Sequence, residues 1–383
     1  MIVIAALVGA IAVASSHAPV AADPDAPLDA PLDDTARTLE ADVETWAGFD
    51  SNANREPDGV LGSSPPGRVE PSLPAPLPKP DGLVQADAAL AAELRRPGLV
   101  LRSDTLVGAK LFFTLDDERM IAGQERATVS TPLSAVPVAG AAWTTSLLAK
   151  ARAQLDGQRT YALVDATSIA DVPALSWLTL RAGAHGQAFH AFDEARFSSG
   201  YAGVLVGARA AHGPESAELL VDVGGRGYPF SSSNDLDPAA PGASAQLRSD
   251  GVVTGTLTLT SARTLYVSAG YTLLRDASDA RGESFTRHRL TALVGTRLPA
   301  DVDVVAEAAL QLTQYDDGVS FGQAYFLAAF EQENQNVVAV TLARALWHDV
   351  SVVASLSFIA NEFAVEGARF SRQTAAIGVR ADL

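Results

Sequence analysis

Residues Val253–Thr260 read VTGTLTLT. Val253, Gly255, Leu257 and Leu259 alternate there with Thr254, Thr256, Thr258 and Thr260. A period of two puts the first set on one face of a β-strand and the threonines on the other, whereas a helix would mix them. The pattern continues on both sides. Leu265, Val267, Ala269, Tyr271 and Leu273 alternate with Tyr266, Ser268, Gly270 and Thr272, and Val302–Leu312 and Val350–Phe358 repeat the arrangement. These runs hold 9 to 12 residues, against about five or six in strands of soluble proteins. A tilted strand that crosses a bilayer needs about 9–11. Length separates this pattern from a secreted β-sandwich, which alternates too but in shorter pieces.

The connections alternate as well. Short ones carry turn residues, as at Pro137–Gly140, Asp171–Pro173, His212–Glu215, Ser261–Arg263, Leu298–Asp301 and Trp347–Asp349. Between them lie mostly longer polar stretches, including Asp116–Glu125, Pro229–Gly242, Asp276–Glu283, Asp316–Gln323 and Asn361–Arg369. This resembles outer-membrane barrels, with tight turns on one side and long loops on the other. The expectation is an all-β, closed, antiparallel transmembrane up-and-down β-barrel over residues 101–383, of about 14 strands within a range of 12–16. No helical crossover of a dozen residues intervenes, which argues against a parallel sheet.

The 383-residue chain has no cysteine, so disulfides and thiolate chemistry are excluded. Its net charge of −17 argues against a nucleic-acid partner. The apolar run Ile2–Ala14 is too short to span a bilayer and reads as a secretory signal over residues 1–22, with Val20-Ala21-Ala22 before the cleavage point. Residues 23–81 hold 13 acidic against 4 basic residues and eleven of the 21 prolines. That composition reads as a disordered periplasmic tether, with one amphipathic helix over Asp34–Phe49 (around Leu39, Val43 and Trp46) that suits a periplasmic protein partner. Asp50-Ser-Asn52-Ala-Asn54 mimics a calcium loop, but Arg55 and Leu61 stand where glycine and glutamate are needed. Residues 82–100 include the alanine-rich Leu83–Arg96, which reads as a short helix able to precede, plug or cap the barrel.

If the apolar set of each strand faces lipid, the other set faces the lumen. That set includes Lys110, Lys150, Arg152, Arg181, Arg209, Arg226, Arg287, Arg289 and Arg297, with Asp165, Asp222, Asp303 and Glu307. Charges facing lipid at mid-depth cost about 2–4 kcal/mol for Arg or Lys, and little in a wet lumen. Arg287 and Arg289 on one strand, with Asp303 and Glu307 on the next, suggest a charged ladder, and the excess of bases leans towards anions. Trp143, Trp177 and Trp347 lie near proposed short turns and Tyr266 follows another, as interfacial aromatics do. No metal-ligand spacing, GxSxG, Walker or dinucleotide motif is present, so neither an enzyme nor a cofactor is expected. His185 with Asp222 is the pair that a linear reading would miss.

At the C-terminus Ala375, Ile377, Val379, Ala381 and Leu383 alternate with Ala376, Gly378, Arg380 and Asp382. Here the chain resembles bacterial outer-membrane β-barrel proteins, whose last strand ends on an outward apolar residue read by the barrel-assembly machinery. Leu383 and Ala381 replace the aromatic residues usual in that family. The resemblance covers residues 101–383, identifies no subfamily, and implies an integral protein of the bacterial outer membrane in contact with its lipid. The expected function is a porin-like passive channel for small polar solutes. Two alternatives remain open: a structural anchor of an envelope-spanning export, motility or adhesion complex whose partner binds the N-terminal tail, and a barrel plugged by Leu83–Arg96.

Overall fold

The computed structural model describes residues 36–51, 79–115, 119–134, 138–154, 160–192, 195–232, 247–280, 283–316, 335–347, 349–361 and 371–383. They form β1 (Ala36–Asp50), β2 (Asp81–Arg96), β3 (Leu99–Phe112), β4 (Met120–Pro132), β5 (Ala142–Gln154) and β6 (Tyr161–Leu175). Next come β7 (Leu178–Ala191), β8 (Ser199–His212), β9 (Glu215–Ser232), β10 (Leu247–Ala262) and β11 (Tyr266–Ser278). The last five are β12 (Phe285–Leu298), β13 (Val302–Tyr315), β14 (Gln335–Trp347), β15 (Val350–Asn361) and β16 (Ser371–Asp382). Each strand pairs antiparallel with its neighbours in sequence, and β1 pairs with β16 to close the ring. Closure leaves no free edge, so the wall satisfies its own backbone groups.

The barrel has 16 strands, two more than the period-two reading finds, and both extra strands come from segments read as helical. Asp34–Phe49 does not contain the expected helix, because residues 36–50 are β1. Leu83–Arg96 is neither helix nor plug but β2, part of the wall. The barrel therefore starts at Ala36 rather than near residue 101, and residues 51–80 connect β1 to β2 instead of belonging to a leading tether. The signal segment 1–22 and the calcium-like Asn52-Ala-Asn54 lie outside the described residues.

Short turns join β2–β3, β6–β7, β8–β9, β10–β11, β12–β13 and β14–β15, and the longer β4–β5 connection lies on the same rim. Pro97-Gly98 and Gly213-Pro214 make two of the tight turns, with Gly98 at φ +73° and Gly213 at φ +56°, where a side chain would be strained. The β6–β7 turn falls at Ser176-Trp177, a few residues after the expected Asp171–Pro173, which lies within β6. Strands run from 12 to 18 residues, longer than a bilayer crossing requires.

The two faces are distinguished by contacts that skip a strand. Lys110 of β3 reaches Asp50 of β1, Arg181 of β7 reaches Glu218 of β9, and Arg226 of β9 reaches Asp276 of β11. Such contacts form where side chains converge, on the concave side. On the convex side stand Leu39, Val204, Leu310, Leu356 and Ile377, each more than half exposed. This reverses a soluble protein's arrangement, because large apolar side chains coat the outside.

Candidate functional site

The seam between β1 and β16 shows how the inner wall is built. Glu44 lies opposite Arg380 in register and pairs with it. The same carboxylate accepts a hydrogen bond from Trp46 Nε1 at 3.1 Å. Trp46, expected to dock a partner, is buried on the inner face with its ring against Gly378, where an added Cβ would come within 3.0 Å of it. Higher on the seam, Asp50 is fully buried beside Arg372 at 2.5 Å and Lys110 at 3.4 Å. Asp81 accepts the backbone N–H groups of Thr114 and Leu115, which fixes the start of the β3–β4 loop.

A second cluster lies at mid-height on β6–β9. His185 presents Nε2 to Asp165 at 2.9 Å and Nδ1 to Asp222 at 2.5 Å. Gln187 donates to Asp165 at 3.0 Å, and the Tyr201 hydroxyl donates to Asp222 at 2.7 Å. Gly203 makes the space for Tyr201: a Cβ there would stand 2.8 Å from the ring and 2.5 Å from the Asp222 carboxylate. His185 and Asp222 are thus in contact, but with carboxylates on both ring nitrogens no nitrogen is left to activate a nucleophile.

The register places every sequence-predicted charge on the inner parity. Arg181 meets Asp171 at 2.8 Å and Glu218 at 2.6 Å, and Arg226 meets Asp276 at 3.4 Å. Lys150 faces Leu163 across the strand pair, Arg152 faces Tyr161, and Arg209 faces Glu218. The proposed ladder is corrected. Arg287 pairs in register with Thr313 and donates to its hydroxyl at 3.0 Å, while Arg289 stands opposite Gln311. Glu307 faces Leu293, while Arg297 and Asp303 meet at 2.6 Å. Antiparallel pairing sets the two arginines of β12 against Gln311 and Thr313, beyond both acids on β13.

The lean towards anions is also corrected, because β1 and β2 add Glu40, Asp42, Glu44, Asp50, Asp81, Asp87 and Glu93 to the inner parity. These acids and Asp104 of β3 form an acidic arc. Roughly half the ring away, Thr256, Thr272, Arg289 and Gln311 share one registered row that carries no carboxylate.

Sequence reasoning missed the buried pair Arg248–Asp250 (2.7 Å), with Arg248 stacked 4.0 Å from the Tyr228 ring and bonded to Glu283 at 3.2 Å. It also missed Glu125, which lies on the outer parity. Glu125 pairs in register with Thr105 and Ala149 and accepts hydrogen bonds from the Ser103 hydroxyl at 2.6 Å and from Thr105. Its place in the alternation Ile121, Gly123, Glu125, Ala127, Val129 was the available signal.

Trp143, Trp177 and Trp347 are exposed at the short-turn rim. Tyr266 is not with them, because it pairs with Ala262 and Gly295 on the inner parity. Ala375, Ile377, Val379, Ala381 and Leu383 share the outer parity of the closing strand, and the Leu383 N–H donates to the Ala41 carbonyl at 2.7 Å. At the long-loop rim Asp316 accepts from Arg275 at 2.5 Å, and that bond holds its carboxyl below the ordinary range. Among the described residues no group of His, Asp or Glu is placed to hold a metal.

No protein-family model matches the chain, and no curated protein matches its sequence. Among solved structures, a Salmonella typhi OmpF complex with daunomycin aligns over 91% of this chain and 97% of its own, with 8% identity and a TM-score of 0.47. The anion-selective porin of Comamonas acidovorans aligns over 91% and 100%, at 12% identity and a TM-score of 0.40. OmpT, an outer-membrane protein of Vibrio cholerae, aligns over 91% and 98%, at 9% identity and a TM-score of 0.42. Likeness this distant does not bear on activity. What the chain has in common with them is the closed barrel, which its own strand register defines.

Proposed function

We propose that the chain is an integral outer-membrane channel of porin type, through which small polar solutes diffuse passively. The observation that carries this is the division of the wall: exposed Val, Leu, Ile and Phe outside, and charges, hydroxyls and amides inside around the ring, with β14 contributing only Thr341 among its inward Val337, Ala339, Thr341 and Ala343. An outer coat of that kind suits hydrocarbon, and an inner coat of that kind suits water. The acidic arc on β1–β3 and the carboxylate-free row through Arg289 lie on different sides of the lumen, which favours a transverse field that orders polar solutes. With acids and bases both abundant inside, selectivity between small cations and anions is weak.

The anchor alternative drew its support from a long leading tail. Residues 36–50 are wall, and residues 51–80 leave β1 at the long-loop rim, so that support falls away for this part of the chain.

The test is single-channel conductance of the refolded protein in a planar bilayer under a salt gradient. Steady conductance with a reversal potential close to zero supports the channel. A folded, inserted protein that never conducts refutes it.

A further inference from the structure

Arg37 and Arg96 stand on the outer parity of adjacent strands, at the short-turn rim. Arg37 faces Leu94, two residues before Arg96, which puts the two arginines in a diagonal relation about 7–8 Å apart at Cα. Both are exposed, and neither has a hydrogen-bond or ion-pair partner among the described residues. Every inward arginine of β1–β3, by contrast, has a carboxylate beside it: Arg95 has Glu93 and Arg102 has Asp104.

Arg37 borders a hollow in the outer wall, and Arg96 stands one outward position nearer the rim. A groove of about 560 Å³ runs over β1–β4, bordered by Arg37, by the outward Leu39, Ala92, Leu94, Leu101, Ser103, Ala127 and Val129, and by the inward-parity Thr38, Glu93, Arg102 and Thr128, a volume within the range of about 300–1,000 Å³ usual for small-molecule sites. Its origin is one registered row, Leu39–Ala92–Ser103–Ala127, in which three small side chains follow a leucine. Other parts of the outer wall carry large side chains, such as Leu310 and Leu312 of β13 or Leu356 and Phe358 of β15, while a second outward row of small residues, Ala166–Gly186–Ala202–Gly225–Gly251–Ala277, has no arginine pair beside it. Two residues further from the rim, Thr105 and Glu125 close the hollow with polar groups.

We propose that this groove is a binding site for one anionic phospholipid of the leaflet at the short-turn rim, its phosphate on Arg37 and Arg96 and one acyl chain along Leu39, Ala92 and Ala127. The inference rests on the reading of the outer wall as lipid-facing. Two guanidinium groups side by side recognise a phosphate by charge and by paired N–H donors. The hollow rewards an apolar chain by removing it from its surroundings and filling space that small side chains leave empty. A free anion makes no use of the groove, and a lipid without phosphate makes no use of the arginines, so the two features together select a phospholipid, and two positive charges side by side favour one with net negative charge.

The test is a titration of the full-length protein in mild detergent with dioleoyl phosphatidylglycerol, read as bound lipid by native mass spectrometry. Wild type is expected to retain one lipid, to bind neutral dioleoylglycerol about tenfold more weakly, and to keep its lipid in excess inorganic phosphate. The Arg37→Gln/Arg96→Gln variant and the groove-filling Ala92→Phe/Ala127→Leu variant are each expected to lose about tenfold in phosphatidylglycerol affinity. Heat-modifiable migration in gels shows that each variant is still a closed barrel. Binding unchanged in either closed variant overturns the site. Displacement of the lipid by phosphate overturns it too, as the mark of a simple ion site. A wild type that does not insert into vesicles refutes the membrane reading as well, so the two failures are told apart by insertion.

Discussion

Replacing His185 by alanine probes the cluster that ties β6, β7 and β9 together. The ring holds Asp165 and Asp222 at 2.9 and 2.5 Å, and the three side chains are between 13% and 23% exposed. Breaking a fully buried ion pair costs about 3–5 kcal/mol, because a charge is left without a partner. Water reaches this cluster in part, and each carboxylate keeps one neutral donor, Gln187 for Asp165 and Tyr201 for Asp222. Hydrogen bonds to charged groups contribute about 1.5–3 kcal/mol each. Two such bonds, discounted for solvent, give an expected loss of about 2–3 kcal/mol. The assay is reversible urea unfolding in phospholipid vesicles, followed by tryptophan fluorescence. Asp222→Asn and the double variant complete a mutant cycle, in which the second change is expected to cost much less after the first. A loss below about 0.5 kcal/mol for His185→Ala, or additive effects in the cycle, refutes the view that the three residues act as one unit.

Other substitutions test separate features with the same unfolding assay. Gly203→Ala pushes a Cβ into the Tyr201 ring and the Asp222 carboxylate, and a loss of about 1–3 kcal/mol is expected, overlapping with that of His185→Ala instead of adding to it. Glu125→Leu removes a carboxylate from the outer wall and is expected to stabilise the barrel in vesicles by about 1 kcal/mol, less than the value for an outward Arg or Lys. A destabilisation of that size would show that Glu125 faces something other than lipid. Ala300 holds φ +68° in the β12–β13 turn, so Ala300→Gly is expected to stabilise by about 0.5–1 kcal/mol by relieving the left-handed strain. No gain there means that the turn relaxes at no cost.

The sequence made parity legible and left count and register hidden, for different physical reasons. Within a strand, sidedness needs no partner: Leu257 and Thr258 differ in polarity, and the two-residue period assigns them to opposite faces. The same rule was present in β1, where Leu39, Ala41, Val43, Ala47 and Phe49 alternate with Glu40, Asp42, Glu44 and Asp50. It was masked because Leu39, Val43 and Trp46 also fit a helical spacing. In β2, Val84, Ala86, Ala88, Leu90, Ala92 and Leu94 alternate with Gln85, Asp87, Glu93 and Arg95. Alanine's helix propensity obscured that alternation, although pairing with two flanking strands outweighs a preference worth only tenths of a kcal/mol per residue. Register is another matter, because it is a property of two strands and their turn. Arg287 and Glu307 lie on strands that pair and on the same face, yet the pairing sets Arg287 against Thr313.

The missed strands changed a functional inference as well as a count. With β1 and β2 left out, the lumen gathered more bases than acids and pointed to anions. Their inward charges are acidic except for Arg95, and placing them in the wall turns a basic lumen into a divided one. The error is systematic: an inner wall of any charge is water-lined, so strands rich in Asp and Glu satisfy the fold as well as strands rich in Arg, while their composition imitates a solvated tail. A reversal potential measured on the whole protein senses all of the strands at once. If it proves strongly anion-selective, the acidic arc of β1–β3 does not face the conducting path, and the field across the lumen must be drawn from β4–β16 alone.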